Sequence, residues 1–192
     1  MASVGAEVFE TERLFRQRAL ERMCRELLVE IGEDPDREGL QETPRRWAAW
    51  WREFIDHLPG DLNTCFTSTS EEMVVVQGIE VWSLCEHHLL PFRATVSMGY
   101  MPAKKVLGLS KFARIAHARA HRLQLQERLT AEIADTLSDL TDTEDVAVLA
   151  DGYHLCMAMR GVRTPATMRT SVMRGRFREN VHTREEFLKL AC

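Results

Sequence analysis

Cys85-Glu-His-His88 and His154-Leu-Cys156 place two thiols and three imidazoles in two tight clusters that lie far apart in the chain. Thiolate and imidazole are the donors that zinc prefers. A set of three protein ligands leaves one position open for water, whereas a structural site normally closes all four. The two clusters hold more donors than three ligands need. The reading is that Cys85, His88 and Cys156 bind the metal, and that His87 and His154 stand free beside it as acid/base groups. Cys24, Cys65 and Cys192 have no His nearby in sequence and read as ordinary thiols, since a free Cys is commonly buried and inert.

The second cluster carries a geometric expectation of its own. Val146 to Met159 reads as one strand, and side chains alternate across a strand. His154, Cys156, Ala158 and Arg160 should then share a face, with Leu155, Met157 and Met159 on the apolar side. Arg160 would be a fixed cation two pleats beyond the thiol, suited to an anion contact. Gly108-Leu-Ser-Lys-Phe-Ala-Arg114 is a second candidate for anions. Ser110 falls near a helix start, where free N–H groups favour negative charge, and Lys111 and Arg114 share a helical face. The Gly-x4-Gly-Lys-Ser/Thr spacing of a P-loop is absent. Gln126-Glu127-Arg128 opens the following helix, where an acid is ordinary N-terminal placement.

The elements that must hold these residues follow from periodicity. Val8 to Ile31 has helical recurrence at Phe9, Leu14, Leu20, Met23, Leu27, Leu28 and Ile31, and Gly32-Glu-Asp-Pro35 ends it. A second helix begins at Thr43-Pro44 with Thr43 as cap and runs through Trp47, Trp50, Trp51, Phe54 and Ile55, a packing stripe. Pro59 to Ser70 reads as loop. Met73 to Leu84 is β-prone, with Gly78 as a bulge, and delivers Cys85 at its end. Ala94, Val96, Met98 and Tyr100 alternate with polar or small residues in a half-buried strand. Helices follow over Leu109 to Arg122 and over the stretch marked by Leu125, Leu129, Ile133, Leu137 and Leu140. Met168 to Phe177 reads as a further strand, and Thr183 as the cap of a terminal helix. The chain is expected to divide into a helical region, 1–60, and a mixed α/β body, 61–192.

Composition narrows the class. The chain has 192 residues, 45% of them hydrophobic, enough to bury a core. Five cysteines in no disulfide-like pattern suit a reducing compartment. No apolar run approaches the roughly 20 residues of a membrane span, and Met1 to Glu12 lacks the features of a signal peptide, so a cytoplasmic protein without a membrane partner is expected. With 29 acidic and 25 basic residues the net charge is −4, which gives no global attraction for nucleic acid. A zinc-stabilised nucleic-acid module would need a closed site and a basic surface.

Gly32-Glu-Asp-Pro, Glu42-Thr-Pro-Arg-Arg46, Cys85-Glu-His-His, Gly108-Leu-Ser-Lys, Gln126-Glu-Arg-Leu-Thr, His154-x-Cys156, Met159-Arg-Gly161 and Thr183-Arg-Glu-Glu-Phe-Leu occur in this order. In these motifs the chain resembles zinc-dependent GTP cyclohydrolase I from roughly Glu30 to Leu190. Ala49 stands where some members carry a basic residue, and Pro165 also departs from the pattern. The resemblance implies an α+β tunnelling fold: an antiparallel sheet backed on one face by two antiparallel helices, with an N-terminal helical extension. It further implies a barrel closed by oligomerisation into a homodecamer, with active sites between subunits. The implied reaction is hydrolysis of GTP to 7,8-dihydroneopterin triphosphate and formate. It gives zinc to Cys85, His88 and Cys156, protonation of the purine N7 to His154, and proton transfers at the ribose to His87. The guanine edge goes to Glu127, with Gln126 beside it in the substrate pocket. The triphosphate goes to Arg46, Ser110, Lys111, Arg114 and Arg160. A nearer rival is a nitrile reductase of the same fold, which uses NADPH and a catalytic thiol without this zinc set.

Overall fold

Residues 2–192 are described in the computed structural model, their side chains from residue 14 onward, and they fall into two compact units, Met1–His57 and Leu58–Cys192. In the first, α1 (Ala2–Glu30) buries Cys24 and Leu28, four residues apart and so on one helical face. Phe9 lies outside the described side chains. In α2 (Thr43–Ile55), Pro44 occupies the first turn, where its missing N–H costs nothing. Thr43 is not the cap. Its N–H donates to Leu40 O at 3.0 Å, so a turn runs straight into the helix, and the cap position falls on Glu42 without a side-chain bond. Trp47 and Trp51 pack edge to face at 5.8 Å, while Trp50 is 40% exposed.

The second unit is built on a long hairpin, β2 (Val74–Cys85) and β3 (Pro91–Tyr100). Their register shifts between Val76 and Ile79, around Gly78 at φ +76°, the bulge expected there. Within the same unit are β1 (Cys65–Thr67), β4 (Lys105–Leu107), α3 (Leu109–Ala120), β5 (Leu123–Gln124), α4 (Gln126–Thr141), β6 (Val146–His154), α5 (Leu155–Ala158), β7 (Thr167–Met173), α6 (Arg176–Glu179) and α7 (Val181–Ala191). Among the described residues the main sheet has the order β5-β2-β3-β6-β7, and β1 and β4 form a separate pair. The sheet curls through 229° round an axis into an open half-barrel. This is the α+β architecture expected, with one amendment: the sheet is mixed, because β5 runs parallel to β2, pairing Leu84 with Leu123 and Cys85 with Gln124.

Helices α3 and α4 cover one face. Phe112, Ile115, Ala116, Leu129, Ile133 and Leu137 pack there on Val81, Ala94, Val96, Met98 and Val148. The alternation expected in β3 holds over Ala94, Val96, Met98 and Tyr100, all fully buried. Ser97 and Gly99 are buried too, because α7 lies over their side of the sheet: Ser97 Oγ donates to Ala191 O at 2.9 Å, and Phe187 sits against Gly99.

Other boundaries of this unit also differ from the sequence expectation. Residues 59–70 are not all loop, since β1 pairs with β4. The strand from Thr167 ends at Met173, before α6. Helix α7 is capped by Asn180, whose side chain accepts from the N–H groups of His182 and Thr183 and so takes the role expected of Thr183.

Candidate metal centre and active site

The Cys85-Glu-His-His88 run is the turn of the β2–β3 hairpin. Cys85 N–H donates to Leu90 O at 2.9 Å, and Cys85 O accepts from His88 N–H at 3.3 Å and from Leu89 N–H at 2.8 Å, with Leu89 left-handed at φ +55°. The turn folds His88 back over Cys85, Nδ1 to Sγ 3.9 Å. Cys85 is buried, whereas His87 and His88 are exposed. A second clamp holds the turn from outside. Glu86 N–H donates to Gln124 O at 3.2 Å, and the Glu86 carboxylate is paired with Arg128 of α4.

Cys156 arrives by a route the sequence reading did not anticipate. β6 ends at His154, and Leu155–Ala158 form a single helical turn, closed by Met159 N–H donating to Leu155 O at 3.0 Å. Strand alternation beyond His154 is therefore lost. Met159 is 60% exposed rather than core, and Arg160 is exposed. Yet the turn carries Cys156 to the hairpin. Ligand atoms of Cys85, His88 and Cys156 all lie within 4.8 Å of one another. A zinc tetrahedron with Zn–S near 2.3 Å and Zn–N near 2.0 Å spaces its ligands by about 3.5–3.8 Å, within a few tenths of an ångström of the 3.9 Å between Cys85 and His88. Two thiols and an imidazole in this arrangement fit zinc with one position open. Burial and the neighbouring Cys85 thiol push the Cys156 thiol up, with Arg160 pulling the other way.

His154 ends β6, two residues before Cys156. Its ring stacks on Phe92 at 4.5 Å and 9°, and its Nε2 lies 2.8 Å from Gln126 Oε1. Burial pulls its pKa down, opposed by the charge of Glu127, an exposed residue in the first turn of α4.

Of the residues expected at phosphate, Arg160 is near enough to act on the Cys156 thiol, whereas Ser110, Lys111 and Arg114 belong to α3. Helix α3 begins next to Leu107, whose N–H donates to the hydroxyl of Tyr100 at the far end of β3, and it ends where Ala120 O accepts from Ser83 Oγ, near Cys85. At 1.5 Å per residue, Ser110 and Lys111 in the first turn of this helix lie about 14–15 Å along it from Ala120, and Arg114 at its middle about 9 Å. Lys111 is buried against Asp61, and Arg114 donates to Asp61 O at 3.0 Å. Arg46 is exposed on α2 of the other unit. Sequence reasoning missed the Asp61 tether, the Glu86–Arg128 clamp and the Gln126–His154 contact. All three join residues distant in sequence, and a two-residue strand such as β5 has no periodicity to read.

The family model for GTP cyclohydrolase I matches residues 20–192. The chain belongs to the GTP cyclohydrolase I family. It is 47% identical over 175 residues to GTP cyclohydrolase 1 of Deinococcus radiodurans, covering 88% of this chain and 81% of that one. It is 49% identical over 177 residues to GTP cyclohydrolase 1 of Alkalilimnicola ehrlichii, covering 89% and 96%. An apo archaeosine synthase QueF-Like structure is 17% identical with a TM-score of 0.43, covering 54% of this chain and 95% of that one. Membership of the family makes the chain a hydrolase, and Cys85, His88 and Cys156 its zinc site. No helix among the described residues is long and apolar enough to cross a membrane.

Proposed function

We propose that the chain hydrolyses GTP to 7,8-dihydroneopterin triphosphate and formate, feeding pterin and folate or 7-deazaguanine synthesis in the cytoplasm. The observation that supports this most directly is the Cys85, His88 and Cys156 triad, with the half-buried imidazole of His154 two residues before Cys156. Zinc held by three protein ligands supplies Lewis acidity that brings the pKa of a bound water towards about 7.

The chain's own groups do the rest. His154 protonates N7 of the purine, which makes C8 electrophilic, and recovers the proton afterwards. Imidazole suits this because its unperturbed pKa of about 6.5 lets it give and take a proton near neutrality. His87, exposed on the hairpin turn, serves proton transfers at the ribose. Glu127 accepts from N1–H and the N2 amino group of guanine, a paired contact that adenine does not offer. Arg160 takes phosphate from the side of the metal triad.

Ser110, Lys111 and Arg114 serve the triphosphate from a second copy of the chain, with Arg46 as a further contact. The separation of the two clusters within one chain favours this division. An open half-barrel also has edges that pairing with further copies would cover, and a decamer is the assembly proposed. Zinc content measured alongside formate release and pterin fluorescence after incubation with GTP tests the reaction. Zinc-loaded protein that releases no formate would exclude it.

A further inference from the structure

Gln126 opens α4, where a polar side chain would ordinarily face water, yet it is 1% exposed. Its amide nitrogen donates to Met168 O at 2.7 Å, to Ala150 O at 3.1 Å and to Thr170 Oγ1 at 3.1 Å. Those acceptors fix which way the amide points, because the flipped group would aim its oxygen at two carbonyl oxygens. The amide oxygen is thereby committed to His154 Nε2. An amide oxygen only accepts, so the ring nitrogen facing it carries the hydrogen. Phe92 holds the ring plane from one side. Gly152 lies on the same face of β6, two residues before His154. A Cβ on Gly152 would fall onto Gln126 Oε1 and within 3.2 Å of His154 Nε2.

We propose that Gln126 is a positioning residue that fixes His154 as the Nε2–H tautomer in one ring plane, leaving Nδ1 to exchange the proton with substrate, and that Gly152 is glycine to admit it. This rests on the reading of His154 as the proton-transfer group, and it gives Gln126 a role other than contact with the base. A free imidazole divides itself between two tautomers, and only one presents its lone pair at a given nitrogen. A neutral amide selects the tautomer without adding the negative charge that a carboxylate in the same place would bring. Both ends of the Gln126 amide are occupied within the fold, which leaves it little capacity to bind substrate.

The test uses the zinc-loaded enzyme carrying Gln126→Leu or Gly152→Ala. The first removes the acceptor, and the second keeps Gln126 but pushes it off the ring. For each, kcat is expected to fall roughly 10- to 100-fold while zinc content and the Kd for GTP stay within about twofold of the parent. Solid-state 15N spectra of histidine-labelled protein, with the His154 signal assigned by its loss in His154→Ala, should show one tautomer in the parent and a mixture in both variants. An unchanged tautomer in either folded variant, or a loss of GTP affinity that accounts for the fall in turnover, overturns the proposal. Full activity of His154→Ala would instead remove the reading of His154 beneath it, and the tautomer spectra would still decide what Gln126 does to the ring.

Discussion

Lys111 Nζ lies 2.6 Å from the backbone carbonyl oxygen of Asp61 and 3.3 Å from its carboxylate, although the two residues are 50 positions apart. The carboxylate also accepts from Asn63 N–H and from the Thr64 hydroxyl, both at 2.9 Å. These three donors, with Asn63 first, hold the Asp61 carboxyl down at about 2. The stretch around Asp61 is thus fastened to the first turns of α3.

A pH dependence follows from that depressed value. The Asp61 contribution to stability is whole above the unfolded carboxylate pKa of about 3.9 and is lost as pH falls towards about 2. Asp61→Asn should therefore lower the urea midpoint relative to the parent at about pH 6, and the gap should close between about pH 4 and pH 2. Unfolding curves of both proteins across that range check this. A gap that stays constant would mean that the carboxylate charge is not what secures the loop.

Much of this architecture was legible in the sequence. The β2–β3 hairpin could be read because its bulge glycine and the alternation of Ala94, Val96, Met98 and Tyr100 are local signals, and α4 because Leu129, Ile133 and Leu137 recur at helical spacing. The path of Cys156 was not legible. Leu155-Cys-Met-Ala158 is as compatible with a strand as with a helical turn, and a four-residue helix lacks a period of its own. The ligand set was still readable, since it depends on donor chemistry and not on the backbone that carries it.

Cys156→Ser should release zinc and abolish turnover. The hydroxyl is a far poorer zinc ligand than thiolate, and the site has three protein ligands to lose from. Metal analysis after gel filtration, paired with formate release, checks both parts. Stoichiometric zinc in this variant would show that Cys156 is not a ligand.

His154→Ala and His87→Ala should both retain zinc. The His154 variant should lose roughly 10²- to 10⁴-fold in formate release, the range expected when a general acid/base group is removed. The His87 variant should stall after ring opening, with formate released and pterin fluorescence absent. Zinc loss in either protein would make that histidine a ligand.

The distance between the metal triad and the start of α3 predicts complementation between chains. His154→Ala and Arg114→Ala homo-oligomers should each be impaired. Co-expressed in equal amounts they should recover up to about a quarter of parental activity, since about one site in four then draws both intact halves from different copies. Activity no higher than the mean of the two separate variants would place the whole site within one chain.

Substrate recognition divides in the same way. Glu127→Gln keeps the size of the side chain but replaces a two-acceptor carboxylate with an amide that turns a donor towards one guanine N–H. Hydrogen bonds to charged groups contribute about 1.5–3 kcal/mol, so GTP and guanosine should both bind roughly 10- to 150-fold more weakly, with zinc content unchanged. Arg160→Ala should weaken GTP while leaving guanosine nearly as before, because phosphate is its proposed contact and guanosine has none. Calorimetric titration of both ligands into both zinc-loaded variants reads the contrast. Equal losses for the two ligands in Arg160→Ala would take Arg160 out of the phosphate subsite, and an unaltered guanosine affinity in Glu127→Gln would take Glu127 away from the base.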